Sequence, residues 1–201
     1  MTFRYPNTRT AAVVSLPVLV LGLLLAGCSS TPAEQHYYLL RGETPSKTRD
    51  LQPSSRFAMG QLVVAPYVDQ SGLILEVGPG KIRPARNHQW AEPMAGALRN
   101  LMLLEVSRAV GADVFPEAMS DAPLTFNVRI DQLHGTMDGD ALLVAYWWID
   151  SAGEELTTYQ FSETRALARD GYPALADAQK ALLKELAERI GESLLAADTG
   201  G

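Results

Sequence analysis

The sequence has 201 residues, a net charge of −6, 47% hydrophobic residues and 20% charged residues. This length and composition are typical of one globular domain or a small pair of domains. They exclude a disordered chain, a collagen-like repeat and a disulfide scaffold. The acidic balance argues against nucleic acid as a partner, because proteins that bind it usually carry a basic face. One Cys and three separated His residues indicate neither a zinc site nor a His-rich metal site, so we expect no metal and no cofactor.

The N-terminal segment, residues 1–27, is predicted to be a signal peptide. Arg4 and Arg9 precede an almost wholly apolar run over residues 11–25, and two small residues follow it. This is the order of features in a secretory signal. A transmembrane anchor is the alternative. An apolar helix of this length spans only about 22 Å, whereas a bilayer core needs about 30 Å, so the length favours a cleaved signal.

Leu25-Ala26-Gly27-Cys28 resembles the lipobox of bacterial lipoproteins. The resemblance implies acylation of the Cys28 thiol, cleavage before Cys28 and acylation of the new amino group. Several acyl chains anchor a protein stably, where a single chain would be marginal. Residues 28–35 are then the acylated Cys and a tether that reaches at most about 25 Å. In Gram-negative lipoproteins an Asp after the Cys favours inner-membrane retention, so Ser29 implies the outer membrane.

Residues 36–197 are predicted to form the folded domain, with a frayed tail at 198–201. In the first half, aromatic and apolar runs between turn signals predict several strands, two of them in a hairpin closed by Gly78-Pro79-Gly80. The predicted strands are 36–41, 61–68, 73–77 and 81–86, with a polar loop over 42–55.

Trp90-Ala91-Glu92-Pro93 is predicted to open a helix. Pro93 is tolerated in a first helical turn, where its missing N–H is harmless, and Glu92 adds a favourable negative charge there. Apolar residues recur at helical spacing as far as Gly111, a typical C-terminal stop. A short strand at 112–115 is expected to follow.

The second half is predicted to contain an antiparallel meander of three strands. Residues 124–131 alternate apolar and polar side chains, which is typical of a half-buried antiparallel strand. Residues 141–150 are apolar on both faces, so this strand is either interior or faces a partner. Residues 156–167 form the third strand.

A final amphipathic helix is expected from Pro173, with Glu185 and Arg189 as an i,i+4 ion pair. One stripe of this helix should be buried, namely Leu175, Ala178, Leu182, Leu186, Ile190 and Leu194. The predicted fold class is therefore α+β, a mixed and largely antiparallel sheet with two main helices packed on it in a single domain.

The sequence contains no recognisable catalytic motif, whether a phosphate-binding glycine loop, a nucleophile elbow or a His-Glu-x-x-His pair. His36, His88 and His134 are far apart and have no acid at ligand spacing. Asp138 and Asp140 flank a glycine, which favours a turn over a calcium site needing six to eight oxygen ligands. We therefore predict no catalytic residue and no enzyme.

One basic cluster, Lys81, Arg83 and Arg86, stands out in an acidic chain. If this segment is a strand, Lys81 and Arg83 point to one face and Arg86 to the other. A charged edge strand that resists aggregation is the favoured interpretation. The alternative is a contact for lipid headgroups or an acidic partner.

Trp147 and Trp148 are adjacent, so in a strand they face opposite sides. One indole can lie in the core, and the other needs a helix, a second subunit, a partner or an apolar ligand to cover it. Trp and Tyr are enriched at interfaces, so Tyr146 beside them is compatible with a partner or with self-association. A strand buried on both faces is the equal alternative.

Several of these segments together resemble the PqiC-type auxiliary lipoproteins of ABC-type lipid transport systems. After the lipobox come Tyr37-Tyr38-Leu39-Leu40, then Val64-Ala65-Pro66-Tyr67, then the Trp90-Ala91-Glu92-Pro93 helix start and an amphipathic C-terminal helix. The helix start is the most specific element, and the glycine-rich and basic segment 72–86 departs from the family pattern.

The resemblance implies a periplasmic lipoprotein that is anchored in the outer membrane of a Gram-negative bacterium and supports envelope integrity. It implies an MCE-domain protein that spans the periplasm as the partner, and lipids as the cargo. No catalytic residue is carried over, and Trp90, Glu92 and Pro93 are interpreted as structural. An enzyme or independent small-ligand binder at the membrane is the alternative function, and a purely structural envelope lipoprotein is a third.

Overall fold

The computed structural model describes residues 33–42, 53–151 and 154–199. The predicted signal peptide, the lipobox with Cys28 and residues 43–52 of the predicted loop lie outside the described residues. The elements described here all belong to one compact unit, Gln35–Gly201. Neither described helix combines the length and the hydropathy that a membrane span requires. The elements are β1 His36–Tyr38, β2 Pro53–Val64, β3 Gly72–Gly78, β4 Lys81–Trp90, α1 Met94–Val110, β5 Asp113–Pro116, a 3-10 turn Glu117–Met119, β6 Leu124–Gly135, β7 Asp140–Ser151, β8 Glu154–Ala166 and α2 Tyr172–Thr199.

The strands form one mixed sheet around β6. Strand β6 pairs with β7 in antiparallel and with β2 in parallel orientation, and its last residue, Gly135, meets Leu75 of β3. Beyond these, β8 adds to β7, β4 and then β1 add to β3, and β5 adds to β2. The long pairings β6–β7 and β7–β8 are antiparallel. The predicted meander and the α+β class are confirmed.

Helix α1 begins and ends where the sequence predicted, but its N-terminus is capped from a distance. Pro93 occupies the N-cap position and offers no side-chain hydrogen bond. The carboxylate of Asp69 instead accepts the Ala95 N–H at 3.2 Å, which satisfies one of the free donors of the first turn. At the other end Gly111 adopts a left-handed conformation with φ of 68°, which a glycine adopts at no steric cost.

Helix α2 packs on β6, β7, β8 and α1, and its predicted stripe from Leu175 to Leu194 is buried. The two helices approach most closely at Gly191, where an added Cβ would lie 2.5 Å from the Cβ of Ala109. The predicted Glu185–Arg189 pair is wrong. Glu185 binds Arg165 of β8 at 3.1 Å and Arg189 binds Glu192, because the sheet offers Glu185 a closer cation.

The predicted strand 61–68 is wrong at both ends. Strand β2 starts at Pro53, because Pro53 pairs with Asp113 of β5 and the strand also pairs with β6 from Phe57 onward. It stops at Val64, because residues 65–69 turn, with Val68 and Asp69 both donating backbone N–H bonds to the Ala65 carbonyl. Helix α2 also continues to Thr199, past residue 198, where the tail was predicted to start. Asp198 forms an ion pair with Arg56 of β2.

Strand β6 is more buried than the predicted half-buried strand, since three of its six polar side chains, Thr125, Asn127 and His134, are also buried. Asn127 is buried because its amide bridges two neighbouring strands. Its Oδ1 accepts the Gln61 N–H at 2.7 Å, and its Nδ2 donates to Asp150 at 2.7 Å. A strand in the middle of a sheet meets partners on both sides, so polar residues there are buried with their hydrogen bonds satisfied.

Candidate functional site

The two adjacent tryptophans lie on opposite faces of β7. Trp147 points toward α2 and is 5% exposed. Its indole N–H donates to Ser193 Oγ at 3.0 Å, and its ring stacks on Tyr159 with centroids 4.8 Å apart. Trp148 lies on the other face, between Asn127 and Thr158 on the neighbouring strands, and is only partly buried. Trp147 is therefore a core residue, and Trp148 is the indole available to a partner.

Trp148 is one end of an apolar row on the face of β7 that points away from α2. We call this row the open stripe, and each of its side chains is partly exposed while the alternate residues of β7 are buried. Both helices pack on the opposite face, so within the described chain no helix lies over the stripe. The open stripe consists of Leu142, Val144, Tyr146 and Trp148.

Tyr146 holds a fixed orientation in the open stripe. The Arg129 guanidinium lies 4.7 Å from the centre of its ring, and Gln160 donates to its hydroxyl at 3.2 Å. Arg129 is itself held by Asp131 through two hydrogen bonds of 2.9 and 3.2 Å. An aromatic side chain that is already ordered loses little conformational entropy on binding, which suits an interface anchor.

The basic cluster lies on β4, at the protruding end of the β3–β4 hairpin. Lys81, Arg83 and Arg86 are exposed, and within the described residues none of them has an acidic partner. The neighbouring Ile82 is 38% exposed. The structure thus separates this charged hairpin from the open stripe of β7.

The tether meets the domain at an aromatic cluster. His88 stacks between His36 of β1 and Tyr172 of α2, with ring centroids 4.7 and 4.4 Å apart. Its Nδ1 shares a hydrogen bond of 2.8 Å with the Tyr38 hydroxyl. Burial, and to a smaller extent the neighbouring His36, lower the pKa of His88. This cluster fixes β1 against the body of the domain and needs no metal or substrate to explain it.

The motif that precedes α1 has structural contacts. Trp90 is 4% exposed and meets Tyr38 edge-on with centroids 6.5 Å apart. Glu92 binds Arg41, three residues beyond the end of β1, so its charge joins two chain segments besides lying near the helix start. Pro93 sets the extended backbone at the N-cap. No ligand is required to explain these three residues.

The described residues do not assemble an evident reaction centre. Among them no group of three or more His, Cys, Asp or Glu side chains is placed to hold a metal. A groove of about 410 Å³ runs between β8 and α2, but its lining is mainly long charged side chains rather than an apolar pocket with a few convergent polar groups. Its lining residues are Arg165, Ala181, Lys184, Glu185, Glu188, Arg189 and Glu192.

Two features of the site were missed in the sequence. The roles of Arg129 and Gln160 around Tyr146 depend on cross-strand register, which alternation alone does not fix. The Asp69 cap of α1 joins residues 26 positions apart, whereas cap signals are sought next to the helix. The only hint of this cap in the sequence was the residue type of Asp69, since Asp is a common helix-capping residue.

Comparisons with known proteins give a consistent match along the chain. The profile of the ABC-type transport auxiliary lipoprotein component family matches residues 37–191. Intermembrane transport lipoprotein PqiC of Escherichia coli K12 is 25% identical over 179 residues, which cover 88% of this chain and 95% of the relative. The protein of the same name in Shigella flexneri matches to the same extent.

Two crystal structures share the fold. An uncharacterized protein superposes with a TM-score of 0.68 at 21% identity, covering 80% of this chain and 99% of its own. A protein from Xanthomonas campestris gives a TM-score of 0.64 at 12% identity, covering 82% and 98%. At these identities the likeness establishes the arrangement of the sheet and the two helices.

Proposed function

Since the chain belongs to the ABC-type transport auxiliary lipoprotein family, we propose that it is the outer-membrane lipoprotein of a system that moves lipids between the two membranes of a Gram-negative envelope. Cys28 carries the acyl chains, and the domain faces the periplasm. The family description and the name of the relatives, intermembrane transport lipoprotein, support the transport role. The lipobox Leu25-Ala26-Gly27-Cys28 supports the anchor, and several acyl chains would hold it stably.

The protein acts by position rather than by catalysis in this proposal. Its anchor fixes the domain at the membrane, and an exposed face holds the end of a periplasm-spanning MCE-domain protein. Such a junction would carry lipid past the aqueous periplasm and so support envelope integrity. A tether of residues 28–35 reaches at most about 25 Å. The domain therefore stays close to the membrane, and the partner must extend across the periplasm to reach it.

The observation that carries the proposal is the open stripe. Tyr146 and Trp148 are large, ordered and partly exposed on a sheet face that no described helix covers. Aromatic side chains of this kind dominate the energy of protein interfaces, and truncating one typically weakens binding by 2 kcal/mol or more, about thirtyfold. A second copy of this chain is the other occupant that fits an apolar strand face, and the experiment below separates the two.

The test is co-purification of the tagged lipoprotein, in mild detergent, from cells that also express the MCE-domain protein. We expect Tyr146→Ser with Trp148→Ser to abolish recovery of that partner. Glu188→Gln, an exposed change on α2 away from the stripe, is the matched control and should leave recovery intact. Both variants must retain the wild-type melting temperature.

Recovery of the partner by the double variant at the wild-type level would contradict the docking role of the stripe. If the wild type recovers only further copies of itself, and the double variant is a monomer by light scattering, the stripe is a self-association surface. Turnover of an envelope lipid by the purified protein, abolished by one point substitution, would favour the enzymatic alternative.

A further inference from the structure

The β3–β4 hairpin projects from the sheet as an arm. Strand β3 touches β6 through one residue pair, Leu75 with Gly135. From there to the tip the hairpin strands pair with each other, from Leu75 with Arg83 to Gly78 with Lys81. We call residues 75–86 the arm, with Arg86 at its base. The tip is a tight turn in which Gly80 has φ of 65° and donates its N–H to Glu76 Oε1 at 3.1 Å. The arm is therefore a stiff structure whose far end lies outside the main sheet.

The domain begins beside the arm. Strand β1 runs parallel to β4, with His36 opposite His88, so Gln35 lies on the side of His36 that faces the arm's tip. Gln35 confirms this placement, because its Nε2 donates to Asn87 Oδ1 at 2.9 Å. From Asn87 to Lys81 a strand extends about 20 Å, which is close to the reach of the tether, about 25 Å. The length of the tether therefore allows the anchor to lie within about 25 Å of Gln35, a distance that also includes the arm's tip.

The arm carries a charge pattern that suits an anionic surface. Lys81, Arg83 and Arg86 are exposed and have no acidic partner among the described residues. The single acid of the arm, Glu76, turns its carboxylate to the Gly80 N–H. Ile82, between two of the cations, is 38% exposed. Cations that flank an exposed apolar side chain are the arrangement that binds membrane interfaces.

We propose that the arm lies on the membrane that holds the anchor. Side chains alternate along β4, so Lys81 and Arg83 lie on one face of the strand, and Ile82 and Arg86 on the other. Strand β1 pairs with β4 only at residues 88–90, so the arm can meet the membrane with its tip and outer edge. In this orientation the three cations contact anionic lipid headgroups from both faces of the strand, and Ile82 enters the interface. The inference rests on the acylation of Cys28 proposed above. Each Lys or Arg near an anionic surface adds about a fivefold preference for it, so the three together favour the docked arm by about a hundredfold. The arm would then set the orientation of the open stripe relative to the membrane.

The test uses the full acylated lipoprotein, reconstituted into vesicles of equimolar phosphatidylcholine and phosphatidylglycerol. Ile82→Cys is labelled with an environment-sensitive fluorophore, and Met119→Cys, which is 64% exposed in the wild type and lies past β5 at the opposite sheet edge, is the matched control. We expect a blue shift and quenching by spin-labelled lipid at position 82 and neither at position 119. Replacing Lys81, Arg83 and Arg86 by Gln, or using phosphatidylcholine alone, should abolish both signals.

A water-like signal at position 82 in an anchored protein would overturn the inference. So would quenching that persists after the three cations are removed, or protection of the label that appears only when an acidic protein is added. Mass spectrometry of the mature chain and flotation with vesicles report the anchor separately. An unacylated chain that does not float would overturn the proposed function, together with the inference that rests on it. A floating chain with a water-like label overturns the arm alone.

Discussion

Trp147 shows how single residues tie the functional strand to the core. The indole N–H ends on Ser193, whose hydroxyl in turn donates to the Ile190 carbonyl at 2.7 Å. Trp147 and Ser193 are both buried, so water is not at hand to replace the Ser193 hydroxyl as the acceptor of the indole N–H. Because β7 presents Trp147 inward, the next residue, Trp148, must face outward. The position of the exposed indole is thus set by the buried one.

Ser193→Ala is expected to destabilise the domain by about 1–3 kcal/mol, because it leaves the Trp147 N–H buried without an acceptor. The free energy of unfolding in urea measures the loss. Ser162→Ala on the exposed face of β8 is the control and should change stability by no more than about 0.5 kcal/mol. Equal stability of the two variants would show that the hydrogen bond contributes nothing.

At the scale of elements, the two helices contain glycines with opposite roles. Gly96 lies in α1 with open space where a Cβ would stand, while a Cβ at Gly191 in α2 would lie 2.5 Å from the Cβ of Ala109. Helix propensity favours alanine at both positions by about 1 kcal/mol. Packing therefore decides whether a change to alanine stabilises or destabilises the protein. At Gly191 packing overrides helix propensity, because the methyl group of Ala109 cannot rotate away from an added Cβ.

Gly96→Ala is expected to stabilise the protein by up to about 1 kcal/mol. Gly191→Ala is expected to destabilise it by about 1–3 kcal/mol, since the helices must move apart. Thermal or urea unfolding of the two variants and the wild type measures the change in the free energy of unfolding in each variant. The same sign in both variants would contradict the close approach of the helices.

The elements also show which parts of the fold a sequence can specify. The meander and both helices were predicted because their periodicity is long and strong, as in the buried stripe of α2. The start of strand β2 was misplaced because Ser54 and Ser55 look like a loop, whereas the pairing of Pro53 with Asp113 of β5 is a non-local contact. Glu185 was paired with the wrong arginine for the same reason: its partner Arg165 lies on another element.

At the scale of the molecule, the exposed features occupy different parts of the domain. The basic arm of β4 lies next to β1 at one edge of the sheet, and the open stripe lies on β7, with β3 and β6 between them in the sheet. A domain with one surface for the membrane and another for a protein is what a junction between an anchor and a periplasmic partner needs. In our proposal the arm is the surface for the membrane, and the open stripe is the surface for the partner.

The sequence drew attention to the residues of this candidate site but did not give their arrangement. It singled out Lys81, Arg83 and Arg86 and the two tryptophans, since charge clusters and adjacent indoles are visible in one dimension. It left open which indole faces outward, because strand alternation fixes opposite faces but not which face the helices cover. Predicting that the Arg129 guanidinium lies over the Tyr146 ring would have required the register of β6 on β7.

The measurement that tests the central claim most directly is crosslinking in intact cells from a photoreactive residue at position 148. The account predicts adducts to an MCE-domain protein from this position, and none from position 188, which lies exposed on α2 away from the open stripe. Mass spectrometry of the adducts identifies the partner. If position 148 crosslinks only to lipid or to nothing, in a protein that is folded and membrane-bound, then the open stripe does not hold the transport partner.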